Sequence, residues 1–232
     1  MGEGLWVYLA ASPLLWLTAT LTVWIAAVGL SKLSLDNPLL NPTLVSVSAI
    51  VLVLLIAKVD YRRYFEGAQF IHFLLGPATV ALGIPLYERL SLVKTNLFPI
   101  SVALFVGSAT AVGSTVFLCR ALRLAEPVTA SLAPKSTTAA IAMAVSSGLG
   151  GNPALTAAVV VVTGICGAVI VTPLMNAMRV KDFTARGFAV GLASHGIGTA
   201  RAYTVNPVAG LFAGIAMGLN AILTSMIVHA FL

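Results

Sequence analysis

The chain has 232 residues, of which 59% are hydrophobic and only 9% are charged, and its mean hydropathy is +1.02. Soluble globular domains are about 45 to 50% apolar and about 25% charged, so the composition excludes that class and predicts an integral membrane protein. We attribute the formal net charge of +6 to the basic residues that orient membrane proteins, and expect no nucleic-acid partner. At about 20 residues per span, the length predicts roughly eight helices in a single membrane domain, residues 1–232.

The N-terminal part of the chain predicts two spans and a short interfacial helix. The first span covers residues 6–30 and is retained, because neither a basic region nor a cleavage site marks it as a signal peptide. Pro38 and Pro42 then break the chain, since each lacks a backbone donor and restricts the residue before it. A second span follows over residues 43–58, and the charged and aromatic residues 59–70 are typical of a helix at the membrane surface.

The third predicted span, residues 71–90, is interrupted twice by glycine and proline. Gly76 and Pro77 form the first interruption, and Gly83 and Pro85 form the second. Proline inside a helix removes a hydrogen bond and clashes with the preceding turn. We therefore expect a kinked or broken helix here.

Three further apolar segments, which precede the most polar segment of the chain, predict complete or partial spans. Residues 97–118 carry small residues that let helices pack closely in lipid, and residues 154–178 form a long span rich in Val and Ala. Residues 128–149 are weakly hydrophobic and contain a Pro-Lys pair. This segment is either a discontinuous span or a re-entrant loop, because irregular backbone persists at membrane depth only inside protein or along a cavity. The last span covers residues 207–232.

The segment RGFAVGLASHGIGTARAY, residues 186–203, places polar residues inside an otherwise apolar span. A charged side chain at the bilayer centre costs about 2.5 to 3.5 kcal/mol, so His195 and Arg201 must face protein, a water-filled cavity or a ligand. Gly196 and Gly198 are expected to unwind this span and free backbone donors for a ligand. The sequence therefore predicts a discontinuous helix here.

Two basic residues lie beside predicted starts of half-helices. Pro134 is favoured at a first helical position, which places Lys135 at the second position. Thr199 can cap the start of another half-helix, which would place Arg201 at its second position. The free N–H groups of a helix start carry partial positive charge, so two such ends facing each other would bind a carboxylate, as in many transporters.

These features predict a binding site for a small organic anion. The expected substrate-binding residues combine positive side chains, hydroxyl groups and flexible backbone: Lys135, Ser136, Thr137, Thr138, Ser194, His195, Gly196, Gly198, Thr199 and Arg201. Asn37 and Asn41 are further candidate liners, although helix capping explains most such residues individually. Glu88 and His195 are candidates for proton coupling; alternatively Glu88 pairs with Arg89 at a span end, and His195 only satisfies broken backbone.

Lysine and arginine residues in the loops predict an orientation. Under an eight-span model, eight basic residues lie in the second, fourth and sixth loops and three lie in the others, so the positive-inside rule places both termini in the cytoplasm. The first group is Lys58, Arg62, Arg63, Arg120, Arg123, Arg179, Lys181 and Arg186, and the second is Lys32, Arg89 and Lys94. A re-entrant segment at residues 128–149 would invert every later span.

Two segments resemble a known family. LAPKSTTAAIAMAV, residues 132–145, resembles LPKSVTTPIAMAV of the LrgB/CidB family of bacterial inner-membrane proteins. RGFAVGLASHGIGTARA, residues 186–202, resembles the RGxAxGxASHxxGTAR segment of the same family. Shorter matches in the same order, NPLL, YFEGA, PLYE and LMNAMRVK, extend the resemblance over nearly the whole chain. Ala140 stands where the family pattern has a second proline.

The resemblance implies a location in the bacterial inner membrane and two alternative roles. Family members are regarded as holin-like or antiholin-like proteins that act on murein hydrolase activity and cell lysis. Related proteins, including a plant plastid translocator with an LrgB-like half, carry glycolate, glycerate or pyruvate. The resemblance also implies a small LrgA/CidA-like membrane partner, which is compatible with either role.

The local chemistry favours secondary transport of a small carboxylate over the lysis-linked role. An intramembrane enzyme is not expected, because adjacent Ser194 and His195 point about 100° apart on a helix and cannot act as nucleophile and base. The two cysteines show no CxxC spacing, and no metal or cofactor is expected. We expect an all-α polytopic homodimer of about eight transmembrane helices, two of them discontinuous. The third and fourth spans resemble the seventh and eighth in pattern, which fits an internal repeat in parallel or inverted form.

Overall fold

The computed structural model describes residues 12–33, 40, 42–74, 77, 80, 87 and 90–232. These residues form α-helices joined by short turns, which confirms the predicted all-α class for the part of the chain described. Among these residues, four helices are long and apolar enough to cross a membrane: Pro13–Leu33, Leu97–Ala121, Pro153–Ala177 and Pro207–Ala230. The total of about eight spans stays a prediction.

The chain divides into two compact units, Met1–Ile84 and Pro85–Leu232, and each is described by itself. The first unit contains helices α1 (Pro13–Leu33), α2 (Pro42–Ala57) and α3 (Tyr61–Phe73). Helix α3 coincides with the segment expected at the membrane surface. The organisation as one membrane domain stays a prediction.

Helix α3 packs on α1 through a glycine and an aromatic pair. A Cβ atom at Gly67 would meet the backbone oxygen of Pro13 and lie 2.9 Å from Cβ of Trp16. The ring of Tyr64 meets the Trp16 ring edge-on at 6.0 Å, and its hydroxyl oxygen accepts a hydrogen bond of 3.3 Å from Thr20. A charged, aromatic helix is therefore held to an apolar span by its small and aromatic residues.

Several features predicted for the N-terminal half lie outside the described residues. They are the start of the first span, Asn37, Pro38, Asn41, Gly76, Gly83, Pro85 and Glu88. The expected interruptions of the third span and the expected role of Glu88 therefore stay predictions.

The second unit contains the helices that carry the candidate site. They are α4 (Leu90–Thr95), α5 (Leu97–Ala121), α6 (Glu126–Leu132), α7 (Ala139–Gly148), α8 (Pro153–Ala177), α9 (Phe183–Val205) and α10 (Pro207–Ile227). Asn152, Asp182 and Asn206 begin the last three, because each side-chain oxygen accepts hydrogen bonds from backbone N–H groups of the first turn. Pro153 and Pro207 occupy first helical positions, where no donor is needed.

Helix α9 contains non-helical backbone at His195, with φ 43° and ψ −136°. This residue separates a first half, α9a (residues 183–194), from a second half, α9b (residues 196–205). Val190 of α9a and Ala202 of α9b belong to the same buried cluster. On one straight helix these two residues would be about 18 Å apart.

The two halves of α9 run side by side in opposite directions. A Cβ atom at Gly198 would lie 2.9 Å from Cγ2 and 3.0 Å from the backbone oxygen of Val190. Phe183 and Val205, at the two ends of α9, line the same small cavity. A straight helix would separate them by about 33 Å, so the chain reverses at His195. We call α9a and α9b together the second hairpin.

The second hairpin lies against α10 through closely spaced glycines. A Cβ atom at Gly187 would run into the backbone of Ala209, and one at Gly191 would run into the backbone of Ala213. In both pairs the alanine follows the glycine by the same number of residues. Helices α9a and α10 therefore run parallel, with their backbones in contact. Small residues at four-residue spacing permit such close packing in lipid.

Helices α6 and α7 also return to the end from which they start. Glu126, at the beginning of α6, and Leu149, directly after α7, line the same cavity. A Cβ atom at Gly151 would lie 2.9 Å from Oγ of Ser131 and would contact Oγ of Ser146. We call α6, α7 and the turn between them the first hairpin.

The two hairpins enter the second unit from opposite ends of α5. Asn96, which precedes α5, and Asp182, which precedes α9, line one cavity. Arg120, in the last turn of α5, lines another cavity with Glu126 and donates a hydrogen bond to the Leu232 backbone oxygen. We call these the Asn96 end and the Leu232 end. The second hairpin begins and ends at the Asn96 end, and the first hairpin begins and ends at the Leu232 end.

This arrangement corrects the grouping of basic residues used for the predicted orientation. The eight-span model placed Arg120 and Arg123 on the same side as Arg179, Lys181 and Arg186. The structure places the first two at the Leu232 end, whereas the other three flank Asp182 at the Asn96 end. The grouping fails because residues 126–148 return to the end from which they start, so the helices after them are inverted relative to the eight-span model.

Candidate functional site

The turn of the first hairpin carries Lys135 but does not begin a helix at Pro134. Residues 133–137 form a turn in which the Pro134 oxygen accepts hydrogen bonds from both the backbone and the hydroxyl of Thr137. Helix α7 begins only after Thr138. The prediction that Lys135 occupies the second position of a half-helix is therefore wrong, because the turn places it before the helix.

At the start of α7, backbone N–H groups and the Lys135 ammonium have no partner among the described residues. Thr138 makes no side-chain cap, and the first backbone bond that closes onto the helix runs from Ala142 N–H to the Thr138 oxygen. The N–H groups of residues 139–141 therefore have no partner in this part of the chain. The half-buried Lys135 ammonium likewise makes no hydrogen bond or ion pair with a described residue. This hairpin tip consequently presents donors and positive charge to a potential anion.

The tip of the second hairpin is His195 itself. Its side chain is only 4% exposed, and its Nε2 lies 2.9 Å from the Val160 backbone oxygen. Since a carbonyl oxygen can only accept a hydrogen bond, Nε2 is the donor and carries the imidazole proton. A Cβ atom at Gly164 would lie 2.5 Å from the imidazole Cε1, so this glycine makes room for the ring on α8.

The second half-helix starts earlier than the sequence indicated. The non-helical residue is His195, whereas Gly196, Gly198 and Thr199 lie within α9b. The Thr199 hydroxyl donates a hydrogen bond of 2.8 Å to the His195 oxygen, so Thr199 lies one turn inside the helix and does not cap its start. Gly198 is needed for close contact with Val190 and not for unwinding. Both expectations are corrected because a tertiary contact fixes the break at the histidine.

Ser194 is buried beside His195, directly against α8. A Cβ atom at Gly167 would overlap the Ser194 hydroxyl oxygen and lie 2.6 Å from its Cβ. Gly164 and Gly167 thus form the surface of α8 that receives the tip of the second hairpin. Their small size allows two polar side chains to approach a membrane-length helix.

Arg201 lies away from this tip. Its Nη1 donates a hydrogen bond of 3.2 Å to the Thr204 hydroxyl, and its Nε is buried without a hydrogen-bond partner. The side chain lines a cavity of about 20 Å³ with Phe183 and Arg186, towards the Asn96 end. The described arrangement therefore does not bring the Arg201 guanidinium to the residues around His195.

Asn220 of α10 joins the two hairpin tips. Its Nδ2 donates hydrogen bonds of 3.0 Å to the backbone oxygens of Ser136, in the first hairpin, and Leu192, in the second. Its Oδ1 accepts hydrogen bonds from Ser108 of α5 at 2.6 Å and Thr224 at 2.9 Å. Because one nitrogen contacts both carbonyl groups, the two tips meet within the reach of a single amide.

Sequence reasoning missed Asn220, although a signal was present. It is an amide inside the apolar helix PVAGLFAGIAMGLNAILTSMI, and its side chain is fully buried. A polar group buried in such surroundings must be hydrogen-bonded, so a partner within the protein could be expected. The identity of that partner could not be read, because Ser136 and Leu192 contribute backbone atoms and not side chains.

The tips meet near the middle of the longest helices. Ser108 lies near the centre of the 25-residue α5, and Gly164 lies near the centre of the 25-residue α8. At 1.5 Å per residue each of these helices is about 37 Å long, so the tips lie roughly 18 Å from either end.

A cavity opens on each side of this meeting point. The cavity at the Asn96 end has a volume of about 420 Å³ and extends inwards to Gly107 and Leu192. The cavity at the Leu232 end has a volume of about 350 Å³ and contains Arg120, Arg123 and Thr129. Leu192 provides the inner limit of the first cavity, and its backbone oxygen is one of those bound by Asn220.

Comparison with known proteins gives a consistent result. The model of the LrgB-like family matches residues 20–232. The chain is 37% identical to the uncharacterized protein YwbG of Bacillus subtilis over 184 residues, 79% of this chain and 82% of that protein. It is 32% identical to the holin-like protein CidB of Staphylococcus epidermidis over 193 residues, 83% of this chain and 84% of that protein. Protein YxaC of Bacillus subtilis is 32% identical over 89% of both chains. No solved structure matches the chain.

Proposed function

Because the chain belongs to the LrgB-like family and its two hairpin tips meet at half depth, we propose that it is a secondary transporter of small carboxylates. Glycolate, glycerate and pyruvate are the expected substrates, and the bacterial plasma membrane is the expected location. The observation that carries the proposal is the Asn220 amide, which joins two hairpins that enter from opposite ends. Binding sites between interrupted helices at the midplane are characteristic of secondary transporters.

The substrate carboxylate is proposed to bind at the start of α7. Lys135 supplies the positive charge, and the unpaired N–H groups of residues 139–141 supply hydrogen-bond donors. The proposed lining residues at the two tips are Ser136, Thr137, Thr138, Ser194, His195 and Gly196. Gly198 and Thr199 maintain the shape of the second hairpin. Arg201 contributes positive charge towards the Asn96 end.

The hairpins are proposed to be re-entrant and to account for the two discontinuous elements predicted from the sequence. Helix α5 followed by the first hairpin then corresponds to α8 followed by the second hairpin. The two pairs have opposite directions, because the hairpins enter from opposite ends. This gives an inverted repeat, one of the common arrangements in transporters.

The two cavities are proposed to be the approaches to the site from either side of the membrane. Alternating access would connect the midplane site first with the cavity at the Asn96 end and then with the cavity at the Leu232 end. Import of an anion commonly requires a co-transported cation, and Glu88 and His195 stay the proposed groups for proton coupling.

Uptake into proteoliposomes tests the proposed function. Purified protein should take up radiolabelled glycolate or pyruvate with saturable kinetics, and excess unlabelled glycerate should compete. Liposomes without protein control for leakage. Absence of saturable uptake for all three carboxylates, with correctly folded protein in the liposomes, would refute transport of this substrate class.

The second candidate function is a holin-like role, which the name of the relatives from Staphylococcus favours. It predicts release of large solutes from the same liposomes, which a carrier with a closed midplane does not allow. Entrapped fluorescent dextran distinguishes the two functions. A homodimer and a small LrgA/CidA-like partner stay proposed and are compatible with either.

The side of the membrane on which Leu232 lies tests the orientation proposed for the second unit. Apart from Lys135 and Arg201 in the hairpins' interior, the described basic residues of the second unit divide four against two between the ends: Lys94, Arg179, Lys181 and Arg186 against Arg120 and Arg123. The positive-inside rule then places the Asn96 end in the cytoplasm and Leu232 outside. A fusion of alkaline phosphatase after Leu232 should be active, and a fusion of green fluorescent protein should be dark. The opposite pattern would contradict this orientation of the second unit.

A further inference from the structure

We propose that Asn220 is the positioning residue that holds the two hairpin tips together as one binding site. This inference rests on the proposed transport function only for its kinetic consequence. The structural part, that Asn220 joins the hairpins, can be tested without any substrate.

The amide of Asn220 uses its full hydrogen-bonding capacity. The nitrogen carries two hydrogen atoms and donates to two backbone oxygens, those of Ser136 and Leu192. The oxygen accepts from the hydroxyls of Ser108 and Thr224. One side of the amide therefore binds the hairpins, while the other side is fixed to α5 and α10.

Among the described residues, Asn220 has no substitute as a hydrogen-bonded connection between the hairpins. Within the ranges that the structure describes, no direct hydrogen bond joins residues 126–148 to residues 183–205. The first hairpin is otherwise bound to α8 by Asn152 N–H to Ser131 and by Thr156 to Ser146. The second is bound to α8 by His195. Loss of the Asn220 donors would leave each hairpin attached to the long helices but not to the other hairpin.

The burial of the amide makes this connection specific. Asn220 is fully buried, so water cannot take over the two carbonyl groups if the nitrogen is removed. Substitution Asn220→Asp keeps the shape and the acceptor oxygen but replaces the donor nitrogen with a second oxygen. Even a protonated carboxyl group has one donor for the two backbone oxygens, so at least one of them loses its hydrogen bond and we expect the tips to separate.

Electron paramagnetic resonance measures this separation directly. Spin labels are attached at Ala140→Cys and Ala193→Cys, two exposed positions close to the tips, with both native cysteines replaced by serine. Distances are measured in nanodiscs without substrate. We expect one narrow distance distribution with Asn220 and a broadened or longer one in Asn220→Asp. Equal distributions in the two proteins would overturn the proposal.

Thr224→Val is the matched control, because it removes a hydrogen bond from the other side of the same amide. It should retain the narrow distribution, since both donors to the hairpins remain. A broadening equal to that of Asn220→Asp would show that Asn220 only stabilises the bundle, and would also overturn the proposal. If Asn220→Asp does not fold, Asn220→Leu has a similar volume without donors or charge and is measured in its place.

Transport kinetics give the second readout. Asn220→Leu should raise KM for carboxylate uptake about tenfold or more while changing the maximal rate much less. In this variant the substrate must also bring the two hairpin tips together, and the free energy of that step is lost from binding. An unchanged KM would refute a positioning role. If the unsubstituted protein shows no uptake, the proposed function fails, whereas the distance measurement still decides whether Asn220 joins the hairpins.

Discussion

Replacing Lys135 by glutamine is expected to reduce carboxylate uptake by about 10- to 100-fold without unfolding the protein. Hydrogen bonds to charged groups contribute about 1.5 to 3 kcal/mol, and each 1.4 kcal/mol corresponds to a factor of ten. Lys135 makes no ion pair with any residue in the described ranges, so its removal leaves no buried carboxylate there without a partner. The loss should therefore appear in substrate binding and not in stability.

Two other basic residues serve as controls for Lys135→Gln. Lys181→Gln changes an exposed loop residue and should leave uptake unchanged. Arg201→Gln should have an intermediate effect, because its guanidinium lies towards the Asn96 end beside Thr204. Unchanged uptake in both Lys135→Gln and Arg201→Gln would rule out the proposed anion site. A larger loss in Arg201→Gln than in Lys135→Gln would assign the anion contact to the second hairpin instead.

Substituting alanine for Gly187 or Gly191 is expected to destabilise the second unit strongly. In each case the added methyl group would meet the backbone of α10, at Ala209 or Ala213, which cannot move aside as a flexible side chain can. Overpacking of this kind typically costs about 1 to 3 kcal/mol, and both substitutions force the same two helices apart. The apparent melting temperature in detergent should fall for each variant and fall further for the double variant.

Helix α10 contains its own control for these substitutions. Nothing lies within 4 Å of a Cβ atom built at Gly214 or Gly218. Alanine favours a helix over glycine by about 0.8 to 1.0 kcal/mol, so Gly218→Ala should leave the melting temperature unchanged or raise it. Equal losses for Gly191→Ala and Gly218→Ala would show that backbone contact between α9a and α10 is not what the glycines provide.

The turn before α7 and the non-helical backbone at His195 lie within a few residues of positions that the sequence singled out. Lys135 and His195 lie in apolar surroundings where lipid would not tolerate them, and proline or glycine lies beside each. The exact position of the second break could not be predicted. A histidine with positive φ is uncommon, and it is held here by the Val160 oxygen, which lies 35 residues away in the chain.

The direction of the two hairpins was also beyond sequence reasoning. Residues 128–149 and 186–203 are each long enough for one interrupted span or for a pair of short helices that turn back. Hydropathy does not distinguish these alternatives, because both bury the same residues. The decisive facts are the positions of distant residues: Phe183 and Val205 line one cavity, and a Cβ atom at Gly151 would lie 2.9 Å from Oγ of Ser131.

The position of Asn220 after both hairpins in the sequence has a consequence for biogenesis. Helix α10 supplies both the amide that joins the hairpins and the backbone surface against which Gly187 and Gly191 pack. Both hairpins precede α10 in the sequence, so they lack their shared partner until α10 has been synthesised. Helices α5 and α8 can be inserted during synthesis by virtue of their length and apolar composition. Assembly of the midplane site must then follow the synthesis and insertion of α10.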